Sequence, residues 1–252
     1  MRGRQNRRGY FFLLDRLLRH PERSRRAAHC LLCLLFSFPA YSQLTYPDAG
    51  LWTTFTLEKP LTPKLSFVID QEMRMRENYT MLNLFYTNLG LDIKPIPDLK
   101  VSVIYRSIEK WVYEYDYFSY RHRLMLDITY KRKFGWLIIS NRGRIQAEVR
   151  DINTSRDGKF PEWFFRNKLE FKVDLEKRIF PFAYVESRHQ LHDPRNPDDD
   201  WAWHRMRFCG GLEYKVNEYN AFGAYYLYQQ EYNTVTPETM FNTGLYYYLK
   251  LK

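Results

Sequence analysis

Cysteine is nearly absent. There are three in 252 residues, and two of them, Cys30 and Cys33, fall within the first 42. Beyond residue 42 only Cys209 remains, so no internal disulfide can staple that part of the chain. Long apolar runs are missing as well. No stretch of 18 or more apolar residues occurs in 43–252, which excludes a membrane-spanning helix there. Glycine is sparse, at 11 residues, and no Gly-rich phosphate loop is present. Nor is there an H-E-x-x-H motif, or a C-x-x-C pair beyond residue 42. The chain therefore lacks the signatures of phosphate-loop, zinc-protease and dithiol chemistry.

Aromatic residues are abundant. They make up 18% of the chain, and tyrosine alone supplies 21. Such a load favours strands, and surfaces where one end of a ring is wet. The formal net charge of +10 would by itself point to a nucleic acid or an anionic surface. The charge is uneven, however. Residues 1–42 hold nine Lys and Arg against two Asp and Glu, leaving 43–252 with 30 basic and 27 acidic residues. A nucleic-acid partner is not expected.

Residues 25–43 read RRAAHCLLCLLFSFPAYSQ. Arginines precede an apolar run, Ala27–Phe38, which Pro39 ends. Ala40 and Ser42 then occupy the two small-residue positions that a signal peptidase reads. This predicts a secretory signal peptide over 1–42, cut between Ser42 and Gln43, with an over-extended arginine-rich start. The run falls short of the roughly 20 residues that an anchor helix needs.

After residue 42 the dominant period is two, the signature of strands with two different faces. In 118–131, Phe118, Tyr120, His122, Leu124, Leu126, Ile128 and Tyr130 oppose Ser119, Arg121, Arg123, Met125, Asp127, Thr129 and Lys131. In 165–175, Phe165, Leu169, Phe171 and Val173 oppose Arg166, Lys168, Glu170 and Lys172. Similar strands are expected at 51–59, 65–76, 81–93, 99–110, 137–150, 180–190, 204–216, 221–232 and 240–252. Short turns (LTPK, PIPD, KRKFG, KRIFP, NEYN) alternate with longer polar loops at 113–117, 153–162, 192–202 and 232–238.

Two architectures fit: a soluble secreted β-barrel with its apolar face inward, or an outer-membrane barrel with that face on lipid. Three features favour the membrane barrel over 43–252. Several strands reach the roughly ten residues that a tilted span needs. Short turns alternate with long loops. Tyr and Trp cluster near strand ends, as at Trp111, Trp163, Trp201 and Trp203, where headgroups would lie. The final FNTGLYYYLKLK would then pair with the first strand and remove both edges. We expect an all-β, antiparallel up-and-down transmembrane barrel of 10–12 strands. Eleven segments can be counted, although bacterial single-chain barrels take an even number.

The ending YSQ of the export signal, the opening LWTTFTLEKPLTPKLSF with DQEMR, the internal RHRLMLD and FRNKLEF, and the final GLYYYLKLK carry a resemblance. Together they resemble a family of uncharacterised outer-membrane β-barrels, a domain of unknown function common in Bacteroidota. The resemblance implies a location and a fold, with outer-membrane lipid as the surroundings, and it implies no activity.

Two groups of residues invite a chemical reading. The loop HDPRNPDDDWAWH carries His192, Asp193, Asp198, Asp199, Asp200 and His204, which could hold a divalent metal or activate water at a barrel rim. The simpler reading is a solvated acidic loop, since no spacing there is diagnostic. A Ser119–His122 pair fails on geometry, because a separation of three puts the two on opposite faces of a strand. The stronger feature is the expected lumen. There Arg74, Arg76, Arg106, Arg121, Arg123, Arg142, Arg144, Arg166, Lys168, Arg205 and Arg207 meet Asp70, Glu72, Asp127, Glu148, Glu170, Glu186 and Glu213. Interleaved signs point to a cross-braced, plugged interior in a structural or interaction barrel. The alternatives are a narrow anion-favouring channel and a rim-catalysed outer-membrane hydrolase. No cofactor is expected.

Overall fold

Alternating segments of this kind can bury only one face, and curling the sheet onto itself does so without leaving an edge. The computed structural model describes residues 47–112, 115–150, 160–175, 177–195, 200–234 and 237–252. The expected signal peptide and its cleavage point lie outside the described residues.

Eleven strands follow one another: β1 (Pro47–Thr62), β2 (Leu65–Arg76), β3 (Met81–Ile96), β4 (Leu99–Val112), β5 (Tyr117–Phe134), β6 (Leu137–Arg150), β7 (Glu162–Val173), β8 (Ile179–His192), β9 (Trp203–Lys215), β10 (Asn220–Glu231) and β11 (Thr239–Lys250). Each pairs with its neighbours in sequence, and β1 pairs with β11 to close the barrel. No helix among the described residues is long and apolar enough to cross a membrane.

The eleven strands match the eleven segments counted in the sequence and fall within the expected 10–12, an odd number where bacterial single-chain barrels take an even one. Every hairpin is antiparallel, so the eleventh strand runs in the same direction as the first. The seam is accordingly parallel, in continuous register from Pro47↔Thr239 to Glu58↔Lys250. Side chains support it at one end. Tyr248 Oη donates to Glu58 Oε2 at 2.5 Å, and Leu251 N–H donates to the Glu58 carbonyl at 2.8 Å.

The connections sort by end. Two-residue turns lie at 63–64, 97–98 and 135–136, with slightly longer ones at 174–178 and 216–219. Gly135 has φ +58°, a left-handed conformation that glycine adopts without penalty in a tight hairpin. The opposite end carries the longer segments 151–161, 193–202 and 232–238. At that end Glu77, Asn78 and Tyr79 all have positive φ. The Asp48 carboxylate braces this turn, accepting from the Glu77 and Asn78 N–H groups at 3.2 and 3.3 Å.

The two faces differ as the alternation predicts. Leu124, Leu126, Ile128, Val103, Leu212 and Phe222 stand exposed on the outside. Their neighbours Met125, Asp127, Ser102 and Cys209 are buried inside.

Candidate functional site

The inner face holds most of the polar side chains. The structure places all eleven expected lumen cations and all seven expected carboxylates there, buried or half-buried. A charge so far from water needs a partner. Glu186 on β8 serves three: Arg142 Nη2 at 2.7 Å, Arg207 Nη1 at 3.1 Å, and Arg166. These arginines come from β6, β9 and β7, so one carboxylate ties four strands together. Asp127 receives a two-pronged pair from Arg144, Nε and Nη2 each at 2.6 Å. Planar forks of this kind are among the stronger charge-assisted contacts. Glu148 takes Arg123 and, at 3.5 Å, Arg121. Arg74 pairs with Glu72 at 2.5 Å. Arg106 donates to Asn88 Oδ1 at 2.6 Å.

Sequence reasoning missed the apolar part of the interior. Trp52, Cys209 and Leu227 form a buried cluster inside the lumen, and Phe182, Tyr184 and Tyr225 pack against it. Leu227 is 0% exposed. Arginines lie on aromatic faces around it, Arg74 at 3.5 Å from the Trp52 ring centre and Arg188 at 3.7 Å from that of Phe164. Stacking of this kind suits a guanidinium, which is weakly hydrated and flat. The signal was present in phase. Trp52, Phe164, Phe182, Tyr184, Tyr225 and Leu227 occupy the inward positions of their strands.

Toward the short-turn end, lysines replace arginines. Lys168 pairs with Glu170 at 2.7 Å, Lys172 with Glu213 at 2.9 Å, and Lys100 with Asp92 at 2.7 Å. Tyr246 Oη also donates to Glu213, at 2.9 Å. Two cross-strand glycines make room for these rings. Gly223 faces Tyr246, and Gly244 faces Tyr225. A Cβ on Gly244 would fall 1.9 Å from the Tyr225 ring, and one on Gly223 2.0 Å from the Tyr246 ring. Each tyrosine thus lies flat over the opposing glycine.

Toward the long-loop end the lumen opens into a cavity of about 460 Å³. Its lining includes seven arginines and one lysine but only three carboxylates, Glu148, Glu231 and Glu238.

The rim candidates separate. His192 Nδ1 lies 2.9 Å from Asp200 Oδ2, and the Asp193 N–H donates to Asp200 Oδ1 at 2.6 Å. The His192 hydrogen bond, then that of Asp193, hold the Asp200 carboxyl below the usual carboxylate range. His204 lines the inner cavity, with its ring 6.2 Å from that of Phe164. Asp198 and Asp199 lie outside the described residues. Among the described residues no group of three or more His, Cys, Asp or Glu is placed to hold a metal. His122 faces outward and meets Tyr105 Oη at 2.6 Å, whereas Ser119 is buried inside.

No curated protein and no solved structure matches the chain. Residues 49–240 match the family described as protein of unknown function (DUF2490), and the chain belongs to that family.

Proposed function

We propose that the protein is an outer-membrane β-barrel with a closed lumen, acting as a structural or interaction barrel that presents its loops. One observation carries the location: the barrel is inside-out relative to a soluble one. Its outer band is apolar, with Leu124 60%, Val103 53% and Ile128 53% exposed, while Asp127, Glu186 and Arg144 are buried within. Lipid is the solvent that suits such a surface, and a closed sheet satisfies every backbone group in it. Strands of 12–18 residues exceed the roughly 9–11 that a tilted span needs. A soluble barrel would bury its apolar face and wet its charges, the reverse of this arrangement.

Closure of the lumen is supported by the cluster around Leu227 and by the cross-braced arginines beside it. The arginine surplus favours a second reading, a narrow anion-favouring channel. Two experiments separate these readings. Fractionated cells should yield the protein in the outer-membrane pellet, and recovery from the periplasmic pool would remove the membrane reading. Planar bilayers should then show no stable unitary current. Steady anion-selective currents would replace the closed barrel with the channel.

A further inference from the structure

The long-loop half of the lumen has cations that no described carboxylate neutralises. Each carboxylate around the cavity can be assigned to its nearest cation. Glu72 goes to Arg74, Glu231 to Arg205 and Glu148 to Arg123, while Glu162 serves both Arg150 and Arg195, and Arg195 also has Asp193 at 3.3 Å. Arg76 takes both Asp48 at 3.2 Å and Glu238 at 2.9 Å. Three cations remain. Arg121 can only share Glu148, at 3.5 Å, while Lys110 and Arg188 form no ion pair with any described carboxylate. Set against the second carboxylate on Arg76, the surplus is two positive charges. The Nε groups of Arg121, Arg188 and Arg205 are also buried without an acceptor.

A half-buried surplus of this kind is costly when empty, and unsatisfied buried donors add to the cost. Evolution could have placed another glutamate there, as it did on almost every neighbouring strand. What the cavity lacks among the described residues is an acceptor of about two negative charges with several oxygens. Its volume of about 460 Å³ falls within the range of small-ligand sites. Trp52 lines the cavity and joins it to the apolar cluster with Cys209 and Leu227.

We propose that this cavity binds a small soluble dianionic oxyanion, a phosphate or sulfate group free or carried on a small solute, with Lys110, Arg121 and Arg188 as its principal partners. Arginine forks and a lysine point charge are the chemistry that recognises such groups. The proposal concerns a site and not a conduction path, so it does not depend on whether the barrel conducts.

The test uses the full-length protein in detergent micelles at constant ionic strength. Inorganic pyrophosphate, phosphate, sulfate and chloride are titrated in turn, with thermal unfolding and tryptophan emission as readouts. Trp52, under the Arg74 guanidinium, is the reporter in the cavity wall. Saturable stabilisation by the multiply charged oxyanions, and none by chloride, is expected. Arg188→Gln and Lys110→Gln should each weaken binding by on the order of tenfold, the effect of one good charged contact. Both leave no carboxylate stranded, so both should fold. Lys172→Gln, in the opposite half of the lumen, should leave affinity unchanged. A response that never saturates, one that chloride matches, or equal weakening by Lys172→Gln would overturn the proposal.

Discussion

Toward the short turns, lumen cations include lysines that stand against a carboxylate of their own, as Lys168 with Glu170 and Lys172 with Glu213. Toward the long loops they are arginines with the single lysine Lys110 among the cavity-lining residues, and carboxylates are shared, with Glu148 between two and Glu186 among three. The difference follows from the side chains. An ammonium is a compact point charge that one carboxylate can satisfy. A guanidinium offers five donors in a plane and a face that stacks on Trp or Phe, so it can bridge strands and tolerate a shared anion. The short-turn half is therefore paired locally, strand to strand, and filled with tyrosine. The long-loop half is held together across strands and remains positive.

If that contrast is right, deleting a shared anion should cost more than deleting a paired cation. Glu186→Ala removes the one carboxylate common to Arg142, Arg166 and Arg207. We expect it to destabilise the barrel by about 3–5 kcal/mol, the cost of stranding buried charge. Reversible urea unfolding in lipid vesicles measures this, and a loss below that of Lys172→Ala would break the comparison.

The outer face supplies the next largest effect. Leu126→Arg places a cation in the middle of the apolar band and should cost about 2–4 kcal/mol in the same assay. Lys177→Gln, in an exposed turn, should cost almost nothing. Equal tolerance of the two would mean that the band does not sit in lipid.

Gly244→Ala tests the tyrosine-filled half. The added methyl meets the Tyr225 ring, and displacing that ring should cost about 1–3 kcal/mol. Gly210→Ala, where a Cβ would meet nothing within 4 Å, is the control. Lys172→Ala should be milder still, about 1 kcal/mol, because Tyr246 continues to donate to Glu213.

The smallest effect belongs to the rim. Asp200 is held below the ordinary carboxylate range, so its hydrogen bonds are intact at neutral pH and fade as pH falls through that lowered value. Protection of the Asp193 amide against exchange should decline over the same interval. Asp200→Asn should abolish that pH dependence.

The strands were legible because period two is a local property. The expected and observed segments agree to within a few residues at most ends, as at 65–76 and 137–150. The alternation of burial was legible for the same reason, and the charged residues in that phase are buried or half-buried. The eleven segments were countable, but the pairing at the seam is not written in either of its strands. Each turn specifies its own hairpin, but nothing in PDAGLWTT or FNTGLYYY encodes whether those strands meet parallel or antiparallel. The apolar cluster was hidden because aromatics occupy both faces. Tyr225 points in and its neighbour Tyr226 points out, and alternation cannot rank them. Sharing was hidden too, since Arg142 reaches Glu186 across the whole of β7.

The parallel seam also decides how the molecule could be rewired. In an even-stranded barrel the two chain ends emerge from the same opening, and a short turn can splice them into a circle. Here β1 begins at the long-loop opening and β11 finishes at the short-turn opening. A linker joining them would have to run the full length of the barrel wall. A circularly permuted version with a short linker should therefore fail to close. An epitope ahead of Pro47 and another behind Lys250 would mark opposite openings of the barrel.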